Sequence, residues 1–316
     1  MFFHIEHTTE FLYSQPATES FSELRLRPRN SLRQSVSRHV TQVKPSVLVE
    51  SYTDYFGNFV ETVSIPFRHD RLVVTSSCDV FTNPFADSLS GLDLTISEAR
   101  HLYAAHRRDL HDFLRPSSHI SFAPTVRRLA GELLRSTYGF TPAVLALNHY
   151  IFKEFKYRPG VTDVSTPVEE VMEKREGVCQ DFAHLMISLF RCAGIPARYV
   201  SGYIETDPIV PKEGSDGTES QLIGATASHA WVEIFAPNGY WVGLDPTNDI
   251  LEGERHVQIG IGRDYFDLAP LKGVFKGANS QTLSVQVRVS RNEPAPATDA
   301  NGLPVPQEKN TATLPS

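Results

Sequence analysis

Hydrophobic and polar residues alternate through the first 82 positions, which is the period of β-strands that bury one face. Segments such as FHIEHTTEFLY and RLVVTSSCDVF are rich in β-branched and aromatic residues. Turn formers such as Gly57-Asn58 separate these segments. Several such strands in series predict a β-sandwich-like domain, which we place at residues 1–85.

After about position 90 the apolar spacing becomes helical, and it predicts an α+β unit over residues 86–291. One helix is predicted to end at Gly177. The next begins at Cys179, carries a broad apolar stripe and stops at Gly194-Ile195-Pro196. Strand-like segments return from Ala197 onward.

Two polar segments do not fit this pattern of regular elements. Residues 206–225 are rich in Gly, Pro and Ser and predict a long surface loop. Residues 292–316 contain five prolines and no aromatic residue, and they predict a disordered tail.

The cysteine that opens the apolar helix has a setting that favours chemistry. A thiol in a first helical turn lies among unpaired backbone N–H groups and the positive end of the helix dipole, which favour the thiolate. The same N–H groups could hold an oxyanion. The alternative interpretation of Cys179 is a small buried hydrophobe, as we predict for Cys78 and Cys192.

A thiolate nucleophile needs a base and a group that orients the base. His229 lies in the strand SHAWVEIF, and Asp245 ends the next strand, YWVGLDP. A two-residue loop between the strands would place these side chains on opposite faces. A three-residue loop over 237–239 pairs Trp231 with Asp245 and makes His229 its diagonal neighbour, about 7–8 Å away between Cα atoms. We predict the three-residue loop, with Gly239 in a left-handed conformation.

Bulk properties narrow the possible partners. The chain has 316 residues, 41% hydrophobic and 21% charged, as in ordinary soluble globular proteins. A formal charge of −7 argues against nucleic acid as a main partner. No apolar run is long enough to cross a membrane, and the N-terminus predicts no signal peptide. Three cysteines without a CxxC pair predict free thiols in a reducing compartment, the cytoplasm of a bacterium.

A metal site built from Cys179, His184 and His229 is the alternative use of these residues. No pair among them has the spacing of a known zinc motif. We therefore predict neither a metal nor a cofactor.

Three segments together resemble the transglutaminase-like superfamily, which has a papain-like fold: GVCQDFAHLMISLFRCAGIPARYVSGY, SHAWVEIF and WVGLDPT. The N-terminal region, with LRLRPR, DYFGN and RLVVTSS, is similar to the extra domain of bacterial members. The resemblance implies Cys179 as nucleophile, His229 as general base and acid, and Asp245 as the residue that orients the imidazole.

The resemblance also implies an oxyanion site made of the Cys179 backbone N–H and a side-chain donor. Tyr157 is the best match for that donor, although an aromatic packing role explains it equally well. Gln180 is a candidate for the wall of the cleft, and Trp231 and Trp241 are candidates for that wall or for packing beneath it.

Chemistry of this kind forms a thioester from an amide, and the acyl acceptor decides the activity. Water gives a peptidase or amidase, and an amine gives a transglutaminase. The similarity to bacterial members favours hydrolysis of an amide or isopeptide bond in a peptide or protein substrate. A non-catalytic binding module is the other class of function, and the oligomeric state stays open.

Overall fold

A computed structural model describes residues 1–84, 89–205, 223 and 228–291. The predicted disordered tail, residues 292–316, lies outside the described residues, as does all of the predicted loop 206–225 except Ile223. None of the helices in the described part of the chain is long and apolar enough to cross a membrane.

The N-terminal region forms strands throughout, as its alternating pattern predicts. Its six strands are β1 (Phe2–Ala17), β2 (Glu19–Leu24), β3 (Gln34–Lys44), β4 (Val49–Thr53), β5 (Phe59–Ile65) and β6 (His69–Thr82). Burial alternates along β1 and β6, so one face of each strand enters a core. Phe11, Leu24, Ile65 and Leu72 come from four strands of two sheets and share one hydrophobic cluster. The sheets thus pack face to face, and the predicted sandwich is confirmed.

The core unit follows in chain order. Its first half comprises α1 (Ile96–Leu102), two 3-10 helices (Tyr103–His106 and His111–Leu114), α2 (Pro124–Leu133), α3 (Phe140–Glu154), β7 (Lys156–Tyr157), α4 (Val168–Lys174), β8 (Glu176–Gly177) and α5 (Cys179–Cys192). Its second half comprises β9 (Ala197–Ile204), β10 (His229–Phe235), β11 (Trp241–Asp245), β12 (Ile250–Leu251), β13 (His256–Gly262) and α6 (Tyr265–Leu268). The last two strands of the described chain are β14 (Leu271–Lys276) and β15 (Gln281–Arg291).

The pairing of these last two strands differs from the predicted domain boundary at residue 85. Strand β15 pairs with β1 in a sheet of order β15-β1-β6-β3, and β14 pairs with β2 in a sheet of order β14-β2-β5-β4. Residues 271–291, which the sequence analysis placed in the core unit, therefore complete the β domain. Strand alternation reveals that a segment is a strand but not which sheet it joins, so the sequence pattern missed this.

Helix α5 packs on an antiparallel sheet of order β12-β11-β10-β9-β13. Every residue of β10 is buried. Ala230, Val232 and Ile234 share a cluster with α5, whereas Trp231 belongs to a separate cluster with Val200. Alternate residues of β10 thus contact different groups, as the pleat of a strand requires. The predicted papain-like core, a helix with cysteine at its start packed on an antiparallel sheet, is confirmed.

The β10–β11 hairpin has the predicted register. Phe235 pairs with Trp241 and Val232 with Leu244, and the same register places Trp231 opposite Asp245. Ala236 donates its backbone N–H to the Tyr240 carbonyl, which leaves a three-residue loop. Gly239 has φ +89° in that loop, as predicted.

The end of α4 differs from the prediction. The helix ends at Lys174, and Arg175, not a glycine, adopts the left-handed conformation that follows it, with φ 52°. Gly177 lies instead in β8, which pairs in parallel with β7. Gly177 is needed for a different reason. The Asp181 carboxylate packs so closely against it that a Cβ at this position would clash.

Replacing Val289 tests whether β15 belongs to the folded β domain. Val289 is buried in a cluster with Phe3 and Ile5, whereas Val285 on the same strand is 41% exposed. We expect Val289→Ala to lower the free energy of unfolding by about 2 kcal/mol, because it removes buried methyl groups and leaves a cavity. Val285→Ala should change it by less than about 0.5 kcal/mol. Urea unfolding measures both, and equal effects would show that β15 is not part of the core.

Candidate active site

Cys179 is the first residue of α5 and follows Val178, which is extended at φ −119° and ψ 179°. The change from extended to helical backbone leaves the N–H groups of the first helical turn without intrahelical partners. The side chain is buried, at 8% exposure. A thiol at this position is shielded from solvent and lies beside backbone donors that could stabilise a negative charge.

Asp181 organises the turn that leads into Cys179. One carboxylate oxygen accepts hydrogen bonds from the Val178 backbone N–H, at 2.8 Å, and from the Thr162 hydroxyl, at 2.7 Å. Burial raises the pKa of this carboxyl, an effect that the two hydrogen bonds oppose. A Cβ at Gly177 would lie 2.7 Å from the same oxygen. Only glycine fits here, which explains its position two residues before the cysteine.

His229 and Asp245 meet at the open end of the hairpin. Nε2 of His229 donates a hydrogen bond of 2.8 Å to Oδ2 of Asp245, and both side chains are fully buried. Nδ1 of His229 is buried and has no hydrogen-bond partner among the described residues. The imidazole thus has one nitrogen fixed by the carboxylate and the other available for a reacting group.

The charge of His229 is set by its neighbours. Burial lowers the pKa of the imidazole, but the Asp245 carboxylate and, with a smaller effect, the Cys179 thiol outweigh burial and raise it to about 10. Burial raises the pKa of Asp245, while its hydrogen bond to His229 and the histidine's charge lower it well below its usual value. The three side chains therefore form one electrostatic unit, in which an imidazolium is stabilised beside a carboxylate and a thiol.

The Asp245 carboxylate accepts five hydrogen bonds. Besides His229, its donors are the Thr247 backbone N–H at 3.0 Å, the Asn248 backbone N–H at 3.3 Å, the Asn248 side-chain amide at 2.8 Å and His256 Nε2 at 3.3 Å. A buried carboxylate with this many donors can stay ionised. The turn after β11 and the start of β13 thus both serve to hold one carboxylate.

Tyr157 lies beside the segment that leads to the cysteine. It pairs with Gly177 through the short parallel β7–β8 contact. Burial, and with a smaller effect the charge of Cys179, raise the pKa of the phenol to about 12. The hydroxyl therefore stays protonated at neutral pH and can donate a hydrogen bond near the thiol.

Comparison with known proteins gives two family matches. Residues 127–246 match the transglutaminase-like superfamily, and residues 3–80 match the bacterial transglutaminase-like N-terminal region. An uncharacterised protein of Mycobacterium leprae is 35% identical over 292 residues, which are 91% of this chain and 98% of the relative. The chain belongs to the transglutaminase-like superfamily.

Two further matches cover different extents. The protein-glutamine gamma-glutamyltransferase of Pseudomonas aeruginosa is 31% identical over 131 residues, 40% of this chain and 19% of that protein. A solved structure from Cytophaga hutchinsonii, described as a candidate cysteine protease, is 22% identical, covers 96% of both chains and has a TM-score of 0.69. At that identity the second match shows the fold alone.

The three candidate cleft residues have different places in this transglutaminase-like core. Gln180 is partly exposed beside the cysteine and donates to the Val164 carbonyl at 3.3 Å. Trp231 is completely buried and stacks on His229, with ring centroids 6.1 Å apart, so it supports the site from beneath. Trp241 pairs with Phe235 at the other end of the hairpin, about 20 Å from His229 at 3.3 Å per residue. The packing of Trp231 agrees with the second of its two predicted places, beneath the cleft, whereas Trp241 lies at the opposite end of the hairpin.

The other candidate residues have separate environments. His184 accepts a hydrogen bond from the Tyr265 backbone N–H and stacks on His119, so its Nε2 lone pair is occupied. The described residues contain no group of three side chains that could hold a metal ion. Cys78 is buried in the β domain, where burial raises its pKa to about 12, and Cys192 is half-buried at the far end of α5.

His256 is the site residue that the sequence analysis missed. It is buried and contacts Asp245, but it opens the strand HVQIGI, where one histidine among apolar residues carries no motif. The sequence pattern predicts this strand but not which sheet it joins, so it carried no signal for the contact with Asp245.

The buried pair makes stability depend on pH in a defined direction. The pKa of His229 is raised from 6.5 to about 10, so its stabilising effect is complete below pH 6.5 and is lost as the pH rises toward 10. The pKa of Asp245 is lowered from 3.8, so its effect is present above that pH and is lost in acid. We expect the stability difference between the wild type and Asp245→Asn to be largest between pH 4 and 6.5 and to shrink toward pH 10.

Urea unfolding at pH 6 and pH 9.5 measures this difference. The matched control is Asp249→Asn, which removes the more exposed His149–Asp249 pair of 2.7 Å, keeps an oxygen that can accept from Asn148, and should cost less than about 1 kcal/mol. If the free energy of unfolding differs between wild type and Asp245→Asn by the same amount at both pH values, the ionic pairing of His229 with Asp245 is contradicted.

Proposed function

We propose that this protein is a cysteine-dependent enzyme that cleaves amide bonds through a thioester intermediate. Cys179 is the nucleophile, His229 is the general base and acid, and Asp245 orients the imidazole. The observation that carries the proposal is the buried His229–Asp245 hydrogen bond, which leaves Nδ1 of His229 without a hydrogen-bond partner in the described part of the chain, on an imidazole whose pKa is raised in part by Cys179.

The first half of the reaction forms the thioester. His229 Nδ1 takes the thiol proton, and the Cys179 sulfur attacks the substrate carbonyl carbon. The negative oxygen of the tetrahedral intermediate accepts hydrogen bonds from the Cys179 backbone N–H and the Tyr157 hydroxyl. The C–N bond breaks as the imidazolium gives its proton to the departing amine. The acyl group is then attached to sulfur.

The second half transfers the acyl group to an acceptor. In the hydrolase that we favour, His229 takes a proton from water, the hydroxide attacks the thioester carbonyl, and the C–S bond breaks. The products are a carboxylic acid and the restored thiol. The substrate in this proposal is an amide or isopeptide of a peptide or protein, and the three free thiols support the cytoplasm as the compartment.

An amine acceptor is the second candidate. The observation in its favour is the 31% identity to the protein-glutamine gamma-glutamyltransferase of Pseudomonas aeruginosa. In that case the product is a new amide in place of an acid, and the roles of the three residues stay the same. A non-catalytic binding module would not need a buried His–Asp pair beside a helix-start cysteine, and it becomes the conclusion only if the thiol proves inert.

Alkylation of the native protein tests whether the thiolate pair exists. A free thiol with a pKa of about 8.5 is about 3% ionised at pH 7. We therefore expect iodoacetamide to label Cys179 at pH 7 about 10- to 30-fold faster than it labels the His229→Ala variant, because the imidazolium stabilises the thiolate. Peptide mass spectrometry locates the label.

Cys192 is the internal control, because it lies at the other end of the same helix and has no histidine partner among the described residues. Its labelling should be the same in both proteins. If Cys179 reacts no faster than Cys192, and His229→Ala does not change its alkylation rate, the catalytic proposal fails and the binding module replaces it.

Product analysis distinguishes the two acceptors. We expect glutamine and isopeptide test peptides, incubated with protein and a 10-fold excess of a primary amine over peptide, to yield mainly the free acid. Mass spectrometry separates the acid from the amine adduct. Cys179→Ala should abolish both products. A predominance of adduct would overturn the hydrolase and establish the amine acceptor.

A further inference from the structure

Asp245 lies between two histidines. His229 Nε2 reaches Asp245 Oδ2 at 2.8 Å, and His256 Nε2 reaches the same oxygen at 3.3 Å. All three side chains are at most 1% exposed. The proposed reaction uses His229 but gives no role to His256. A second imidazole bonded to the Asp245 carboxylate nevertheless affects how that carboxylate is oriented.

The hydrogen bonds of His256 define its tautomer. The Gly253 backbone N–H donates to His256 Nδ1 at 3.3 Å, so this nitrogen is an acceptor. The ring proton of the neutral imidazole is therefore on Nε2, directed at Asp245. Burial lowers the pKa of His256, although Asp245 opposes that effect, so the neutral form is favoured. His256 thus supplies a neutral donor and leaves the charged role to His229.

Packing holds the two imidazoles in place. The Trp231 ring contacts His256 edge-on, with centroids 5.2 Å apart at 69°, and stacks on His229. On the next strand, a Cβ at Gly202 would lie 2.3 Å from the Trp231 ring. The tryptophan is therefore closely packed against β9 and contacts both histidine rings.

The β domain fixes the segment that carries His256. The Gln34 side chain accepts from the Gln258 backbone N–H at 2.7 Å and donates to the Gln258 carbonyl at 2.8 Å. The Thr82 hydroxyl donates to the Glu254 carbonyl at 2.7 Å. Residues on both sides of His256 are therefore bound to strands of the β domain, so the ring is held from outside the core sheet.

We infer that His256 is a positioning residue, whose Nε2–H keeps the Asp245 carboxylate facing His229. The inference rests on the proposed function, because orientation of His229 matters only if that imidazole serves Cys179. Without His256, one of the three donors to Asp245 Oδ2 is lost, and the carboxylate can turn toward the remaining donors of the 247–248 turn. The imidazolium then loses part of its stabilisation, and so does the thiolate.

Two substitutions at His256 separate the hydrogen bond from the bulk of the ring. His256→Leu removes the donor and keeps an apolar side chain in the cavity. His256→Gln retains a side-chain N–H that can reach Asp245. The matched control is His7→Leu, because His7 is a buried histidine of the β domain with two hydrogen bonds, to Tyr203 and Thr9, and it does not donate to Asp245.

The rate of Cys179 alkylation against pH is the main measurement. We expect His256→Leu to lower the rate at pH 7 about 10-fold, because a less well oriented His229 imidazolium stabilises the thiolate less. His256→Gln should recover the wild-type rate within about threefold, and His7→Leu should leave the profile unchanged. With an amide substrate, His256→Leu should lower kcat and leave KM unchanged, as expected when a transition-state interaction is lost.

Each outcome has a distinct meaning. Circular dichroism and urea unfolding first show that each variant is folded. If folded His256→Leu keeps the wild-type alkylation profile and kcat, the positioning role is wrong. If His256→Gln is as slow as the leucine variant, or His7→Leu slows Cys179 equally, the effect is structural and the inference also fails. If wild-type Cys179 itself is unreactive, the proposed function fails instead, so the two failures are distinguishable.

Discussion

The buried Asp245 carboxylate is the constraint on which the site depends. An unpaired buried charge would be highly unfavourable, so the fold must bring enough donors to it. It does so from three directions: the adjacent strand through His229, the turn that follows β11 through Thr247 and Asn248, and the start of β13 through His256. The sheet order β11-β10-β9-β13 and the hairpin register both matter because they bring these donors to one point.

The position of the thiol depends on a second buried carboxylate. Asp181 accepts from Val178 and from Thr162, and so fixes the chain just before Cys179 and the loop that passes beside it. The close approach of this carboxylate excludes any side chain at Gly177. A negative group in the first turn complements the helix N-terminus, yet it lies near a residue whose proposed role is to become a thiolate. The two hydrogen bonds to Asp181 disperse that charge, which limits its opposition to the thiolate.

The sequence predicted those features that are set by local rules. The apolar pattern predicted that a helix starts at Cys179, and Gly239 predicted the loop that sets the hairpin register. Both predictions succeeded because helix ends and tight loops depend on a few neighbouring residues. The predicted end of α4 was wrong because Gly177 makes room for the Asp181 carboxylate and does not form a left-handed turn. Arg175 adopts the left-handed conformation instead. His256 and the pairing of β15 with β1 depend on contacts between distant parts of the chain, which alternation along one strand does not encode.

The topology gives the β domain a structural reason to affect the site. Strands β14 and β15 return to the two N-terminal sheets after the core is complete, so the core is connected to the sandwich at both of its ends. Residues of both units pack together between them, among them Ile5, Val289, Tyr203 and Val257.

Strand β13 carries both Val257 of this cluster and His256 of the site. Adjacent residues of a strand point to opposite faces, so one side chain of β13 can pack against the β domain while the adjacent side chain holds the Asp245 carboxylate. The sandwich therefore contacts Glu254, Val257 and Gln258, all within two residues of His256, and these contacts couple the β domain to the geometry of Asp245.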